Sequence, residues 1–132
     1  MAKKMNNNLV PKKKILAVDD EVDLLKILQL NLEANGYEVV TALDGEEALK
    51  KIKSEKPDVV ILDIMLPGLN GEEVCKNIRR DPIFSKIPII MLTGKNTDVD
   101  RIVGRVIGAD IYIFKPFELE QLISAIKKVL KG

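Results

Sequence analysis

The chain has 132 residues, the size of one ordinary domain. Hydrophobic residues make up 46% of it and charged residues 31%, which excludes collagen-like, low-complexity and wholly disordered chains. One cysteine excludes an internal disulfide and fits a reducing compartment, and the lack of histidine excludes His-based triads, zincin sites and a histidine general base. No apolar run approaches the roughly 20 residues that a membrane helix needs, and no apolar core of a signal peptide follows the basic N-terminus. Net charge is +1, unevenly spread: residues 1–14 hold five lysines and no acid, which leaves 16 basic and 20 acidic residues in the rest. The body is therefore mildly acidic and a poor match for nucleic acid. The basic start, residues 1–13, reads as a flexible, solvated leader.

From there two kinds of segment alternate. Ile15–Val18, Glu38–Thr41, Val59–Leu62, Pro88–Leu92 and Ile111–Phe114 are short and mostly apolar, and each reads as a strand. Their low polar alternation suits a parallel sheet buried on both faces. Helical spacing runs through Val22–Asn35, with Val22, Leu25, Leu28 and Leu32 on one face and Gly36 as a stop. It recurs in Glu46–Glu55 (Ala48, Leu49, Ile52), Glu72–Arg80 (Val74, Cys75, Ile78), Asp98–Ile107 (Ile102, Val103, Val106, Ile107) and Glu118–Leu130 (Leu119, Leu122, Ile123, Ile126, Leu130). Strand and helix alternate five times, which predicts an α/β fold with right-handed crossovers and no linker or second domain. Cys75 falls on an apolar face and reads as a buried thiol.

In such a sheet ligands bind beyond the carboxyl ends of the strands. Asp19-Asp20-Glu21 follow the first strand, Asp63 the third, Thr93-Gly94 the fourth and Lys115-Pro116 the fifth. Taken singly, Asp63 is a turn residue, Asp19–Glu21 a helix cap, Thr93 a loop cap and Lys115 a surface lysine. Taken together they bring carboxylates, a hydroxyl and an ammonium to one rim. Crowded carboxylates call for a cation, and oxygen ligands suit Mg²⁺, or Mn²⁺, better than zinc. A lysine and a hydroxyl facing the metal can hold phosphate oxygens. A carboxylate such as Asp63 can take a phosphoryl group as an aspartyl-phosphate.

The segments ILAVDDE (15–21), VVILDIMLPGLNG (59–71), PIIMLTG (88–94) and GADIYIFKPF (108–117) resemble the receiver domain of bacterial two-component response regulators, chemotaxis-type single-domain proteins included. The resemblance covers about Lys14 to Leu130 and implies a receiver domain over 14–132. The implied fold is the flavodoxin-like (βα)5 sandwich, with a five-stranded parallel sheet in the order 2-1-3-4-5. The implied roles are Asp63 as phosphoacceptor, Asp20 as a direct Mg²⁺ ligand, Asp19 as a ligand through water, and the Met65 backbone carbonyl as a further ligand. Lys115 would pair with the phosphoryl oxygens. Thr93 would bond the phosphoryl group and move toward it, with Tyr112 turning inward in step. The Lys115–Pro116 peptide would be cis.

The resemblance further implies a cytoplasmic phosphoacceptor switch, not an enzyme, that assists its own Mg²⁺-dependent phosphorylation and loses the group slowly. Its phosphodonor would be a sensor histidine kinase or a phosphotransfer protein. Its readout would be the face formed by the fourth helix, fifth strand and fifth helix, acting on a protein target. Direct DNA binding and membrane contact are not expected, and the implied state is a monomer or a weak phosphorylation-dependent dimer. The chain is expected to act as a stand-alone receiver.

Where the family often reads GADDYITKPF, this chain has Ile111 and Phe114. Ile111 removes a charge from the expected dimer face and exposes or repacks an apolar side chain. Gly104 costs the fourth predicted helix about 1 kcal/mol relative to Ala, which predicts a mobile helix. Met65 and Lys95 flank the water route in the family, and Met65 cannot orient a water, which predicts slow dephosphorylation.

Three other readings are weaker. A haloacid-dehalogenase-like phosphatase needs an acid where Met65 stands. A flavin carrier needs a phosphate loop where Asp19-Asp20-Glu21 stand. A receiver-like interaction module acting without phosphorylation would not need the intact acid, threonine and lysine set.

Overall fold

The computed structural model describes residues 11–94 and 108–131. In chain order the elements are β1 (Lys14–Val18), α1 (Val22–Ala34), β2 (Glu38–Ala42), α2 (Gly45–Glu55), β3 (Val59–Asp63), α3 (Gly71–Arg80), β4 (Ile89–Thr93), β5 (Ile111–Phe114) and α4 (Leu119–Lys131). The helix expected over 98–107, with Gly104 and Lys95, lies outside the described residues, as does residues 1–10 of the leader.

The five strands form one parallel sheet in the order β2-β1-β3-β4-β5. Successive side chains point to opposite faces, so each strand feeds two cores. Leu16, Val18, Val60, Leu62, Ile89 and Met91 face one way and pack with Ala48 and Ile52 of α2 and Val74, Cys75 and Ile78 of α3. Ile15, Val59, Ile61, Ile90, Leu92 and Ile113 face the other way, against Leu28 and Leu32 of α1 and Leu122, Ala125 and Ile126 of α4. All five residues of β3 and of β4 are buried, which explains their almost unbroken apolar sequence.

Two differences from the sequence reading have simple causes. The spacing puts Val22 on the buried face of α1, but it is 48% exposed: it is the first helical residue, and Leu25, Leu28 and Leu32 carry the contact. Strands β3 and β4 each run one residue further than the apolar pattern suggested. Asp63 pairs with Leu92 and Thr93 with Phe114, so both polar residues are the last rungs of strands, not loop residues.

The starts of α2 and α3 are fixed by side-chain caps. Asp44 accepts from the Glu47 amide at 2.8 Å, and Glu47 in turn accepts from the Leu43 amide at 2.7 Å, which holds its carboxyl below the usual range. Asn70 accepts from the Glu73 amide at 3.0 Å. The run Pro67–Gly71 between β3 and α3 is equally constrained. Gly68 has a φ of +68°, in the left-handed region. The Gly71 amide donates to the Ile64 carbonyl at 3.1 Å, and a Cβ on Gly71 would run into the Asp63 carbonyl. Helix α3 therefore begins in direct contact with the end of β3.

Gly71→Ala is expected to cost about 1–3 kcal/mol through overpacking, a fall of roughly 3–10 °C in melting temperature for a domain of this size. Gly94→Ala, where an added Cβ meets nothing within 4 Å, serves as the control and should melt near the parent. Equal melting of the two variants would contradict the close approach.

Candidate functional site

Period-two alternation decides what the sheet presents at its carboxyl rim. Asp19 continues the Ile15–Ala17 row, Asp63 the Val59–Ile61 row and Lys115 the Ile111–Ile113 row, so all three leave the sheet on the side packed by α1 and α4. The register places Asp19 one step beyond the pair Val18–Leu62, beside Asp63 on the adjacent strand. Two carboxylates are thus delivered side by side from the two central strands, where like charges repel. Asp19 is 1% exposed and Asp63 4%, so water relieves little of that repulsion.

The ammonium of Lys115 offsets the repulsion. Its Nζ lies 2.7 Å from Asp19 Oδ2, 3.2 Å from Asp63 Oδ2 and 3.3 Å from Glu21 Oε1. The Lys115 amide donates to the Thr93 carbonyl at 2.6 Å, and the Lys115–Pro116 peptide is cis. Both aspartates also organise backbone. Asp63 Oδ1 accepts from the Met65 amide at 3.0 Å, and Asp19 Oδ1 accepts from the Glu21 amide at 2.9 Å. These are turns in which a carboxylate bonds an amide two residues on. Glu21 stands at the N-cap of α1 but makes no side-chain cap bond, so the first-helix cap alternative for this acidic run is not what the structure contains.

The electrostatics follow from this packing. Burial pushes the Asp63 carboxyl above its ordinary value and Asp19 adds to the push, against the Met65 amide and Lys115, which pull it down. Burial alone would lower Lys115, but its bonds to Asp19 and Asp63 outweigh that and hold the ammonium above a free lysine.

Asp20, exposed at the mouth, completes an acidic group: carboxylate oxygens of Asp19, Asp20 and Asp63 all lie within 4.8 Å of one another. Three oxygen donors this close, two of them buried, fit a hard divalent cation. An open cavity of about 390 Å³ lies over them, lined by Asp20, Glu21, Asp63, Met65, Gly94 and Lys115. Met65 is 66% exposed there. Thr93 is buried at the end of β4. Tyr112 pairs with Met91 in the sheet, packs on the α2–α3 side, and meets Phe114 edge-on with ring centroids 5.4 Å apart. Ile111 packs against the opposite core, so the charge missing there is replaced by repacking.

The comparisons with known proteins agree with this geometry. The family model of the response regulator receiver domain matches residues 15–127. The chain belongs to that family. It is 50% identical over 119 residues to the alkaline phosphatase synthesis transcriptional regulatory protein PhoP of Bacillus subtilis, a match covering 90% of this chain and 49% of the relative. A response regulator from Chloroflexus aurantiacus superposes with a TM-score of 0.88 at 38% identity, covering 92% of this chain and all of that one. The chemotaxis protein CheY4 of Vibrio cholerae does so with a TM-score of 0.85 at 35% identity, covering 90% and 99%. The receiver chain spans about half the length of the curated relatives it matches.

Sequence reasoning missed how the receiver's central carboxylates are held. The turns closed by Asp19 and Asp63, and the three-way sharing of Lys115, need the register of β1 against β3, which no single segment encodes. The common parity of positions 19, 63 and 115 within their strands was the available signal.

A carboxyl whose folded value lies above its unfolded one binds more protons when folded, in the window between the two, so acidification through that window adds stability. In EDTA, Asp63→Asn is therefore expected to melt above the parent at pH 7. That advantage should shrink as the pH falls through the raised value toward about 4, where an ordinary carboxyl protonates. An advantage that stays flat between those limits would mean that Asp63 is not the strained group.

Proposed function

We propose that this receiver domain is a phosphorylation switch of a two-component system, with Asp63 as phosphoacceptor. The observation that carries the reading is the Lys115 ammonium held between the Asp19 and Asp63 carboxylates at the mouth of an open cavity. Asp63 supplies a carboxylate oxygen to the phosphorus of the donor. A new O–P bond forms at Asp63, and the bond from phosphorus to the donor atom breaks, its electron pair leaving with the donor. With a phosphohistidine donor that atom is an imidazole nitrogen.

Asp19, Asp20, Asp63 and the Met65 carbonyl are the groups that would hold Mg²⁺, with Mn²⁺ as a substitute. When bound, the ion offsets the carboxylate charge and that of the phosphoryl oxygens. Lys115, freed from part of its carboxylate pairing, turns to a phosphoryl oxygen, and Thr93 bonds another. The added charge of about −1.5 to −2 favours the arrangement with Thr93 and Tyr112 drawn in. The signal leaves through the face that includes β5 and α4, toward a protein target and without direct contact of this domain with DNA.

A sensor histidine kinase or phosphotransfer protein is the donor. Exposed Ile27 and Leu30 on α1, beside an apolar groove that ends at Lys115, give such a protein a surface next to Asp63. Residues 14–132 act as the receiver and residues 1–13 as its leader, in the cytoplasm, as a monomer or a weak phosphorylation-dependent dimer. The chain is a switch that assists its own phosphorylation and slow dephosphorylation, not an enzyme with a separate substrate.

Incubation with acetyl phosphate and Mg²⁺, followed by intact mass, is expected to add one phosphoryl group to the parent and none to Asp63→Asn or to a sample in EDTA. No adduct on the parent would favour an interaction module that works without phosphorylation. Met65 offers no hydrogen bond to an attacking water, so Met65→Asn is expected to lose the phosphoryl group several-fold faster. An unchanged half-life would remove Met65 from the account of lifetime.

A further inference from the structure

Strand β5 leads into Lys115 but is the least supported strand that reaches the site: it has four residues and, among the described residues, pairs only with β4. Its height along β4 is set at both ends. At the carboxyl end the Lys115 amide bonds the Thr93 carbonyl. At the other end stands a cluster with no part in the chemistry above. Asp110 closes a reciprocal pair with Ile89: its amide donates to the Ile89 carbonyl at 2.8 Å, and its Oδ2 accepts from the Ile89 amide at 2.8 Å.

Arg79, in the last turn of α3, binds this cluster from below. Its Nε and Nη2 donate to the Gly108 carbonyl at 3.0 and 2.7 Å, and Nη2 also reaches Asp110 Oδ2 at 3.0 Å. Its Nη1 donates to the Ser85 and Ile87 carbonyls at 3.0 and 2.7 Å. One guanidinium thus ties the end of α3, the approach to β4 and the approach to β5. Gly108 has a φ of +91°, and an added Cβ would lie 3.2 Å from Arg79 Nε, so the glycine admits the fork as well as the turn.

Five bonds in one plane need a forked, permanently charged donor, which lysine cannot reproduce. The opposite end of α3 is pressed on the Asp63 carbonyl through Gly71. Helix α3 is therefore a spacer of about 15 Å, at 1.5 Å per residue, between the end of the strand bearing Asp63 and the start of the strand bearing Lys115.

We infer that Arg79 is a positioning residue: through Gly108 and Asp110 it sets the height at which β5 presents Lys115 to Asp19 and Asp63. It acts on the phosphoryl chemistry only through Lys115, and this consequence rests on the function proposed above. A misplacement of about 1 Å is enough to slow a positioned reaction up to a hundredfold.

The test is a double-mutant cycle on uptake from acetyl phosphate and Mg²⁺, with Arg79→Lys, Lys115→Met and the two combined. Arg79→Lys is expected to slow uptake about tenfold or more in the parent and less than twofold in the Lys115→Met background. In the metal-free protein the Lys115 Cε resonance, assigned by its loss in Lys115→Met, should shift in Arg79→Lys. Independent, multiplying rate effects or an unmoved Lys115 resonance would overturn the inference. If Arg79→Lys does not fold, Asp110→Ala removes the side-chain acceptor that Ile89 and Arg79 share and is read the same way. If the parent takes up no phosphoryl group, the proposed function fails, and the Lys115 resonance alone decides the positioning role.

Discussion

Two carboxylates are forced together because β1 and β3 are neighbours in the middle of the sheet, and Asp19, just past the end of β1, leaves the sheet on the same side as Asp63, the last residue of β3. The strands cannot separate without breaking the ladder between them, and the cores on both faces are closed. The repulsion between Asp19 and Asp63 is thus a fixed property of the backbone. A cation relieves it, and among the described residues Lys115 supplies one. Everything else at the rim is arranged around that need: the turns that aim each carboxylate, the glycine that lets α3 close on the end of β3, and the short strand that brings the ammonium across.

The proposed function asks this site to exchange one cation for another. Removing the Lys115 ammonium with nothing in its place would be costly, because it leaves two buried carboxylates uncompensated. The ammonium reaches in from an edge strand, on a flexible side chain, and shares its charge with exposed Glu21 as well as the two buried aspartates. It can therefore yield to a divalent ion and a phosphoryl group without rebuilding the core. Asp63 ends one central strand and Asp19 directly follows the other, whereas Lys115 follows a strand at the edge of the described sheet.

Much of this was legible in the sequence, for physical reasons. Buried parallel strands must be apolar on both faces, so Val59–Leu62 and Ile89–Leu92 announced themselves, and a sheet of that kind exposes its chemistry at the strand ends. Strand limits were harder. The apolar pattern stops before Asp63 and Thr93, whereas the hydrogen-bonded ladder includes them, since backbone pairing is indifferent to side-chain polarity. Val22 misled for a related reason: helical spacing identifies a face but does not show where along that face burial begins. Arg79 was invisible because it works through carbonyls near positions 85, 87 and 108, and backbone acceptors leave no mark in a sequence. Ile111 was correctly singled out as a departure, but only the structure chose between exposure and repacking.

The hold on Asp63 also bears on entropy. One oxygen is tied to the Met65 amide, the other to Lys115, and the residue is the last rung of a central strand. The side-chain freedom that an ordinary surface aspartate keeps until a partner arrives was given up here when the chain folded. In the reaction proposed for Asp63, an incoming donor would find the acceptor already oriented. A small donor and a protein donor would then differ mainly in how often and how long they are held at the mouth of the cavity, and selectivity would be a matter of encounter, not of chemistry.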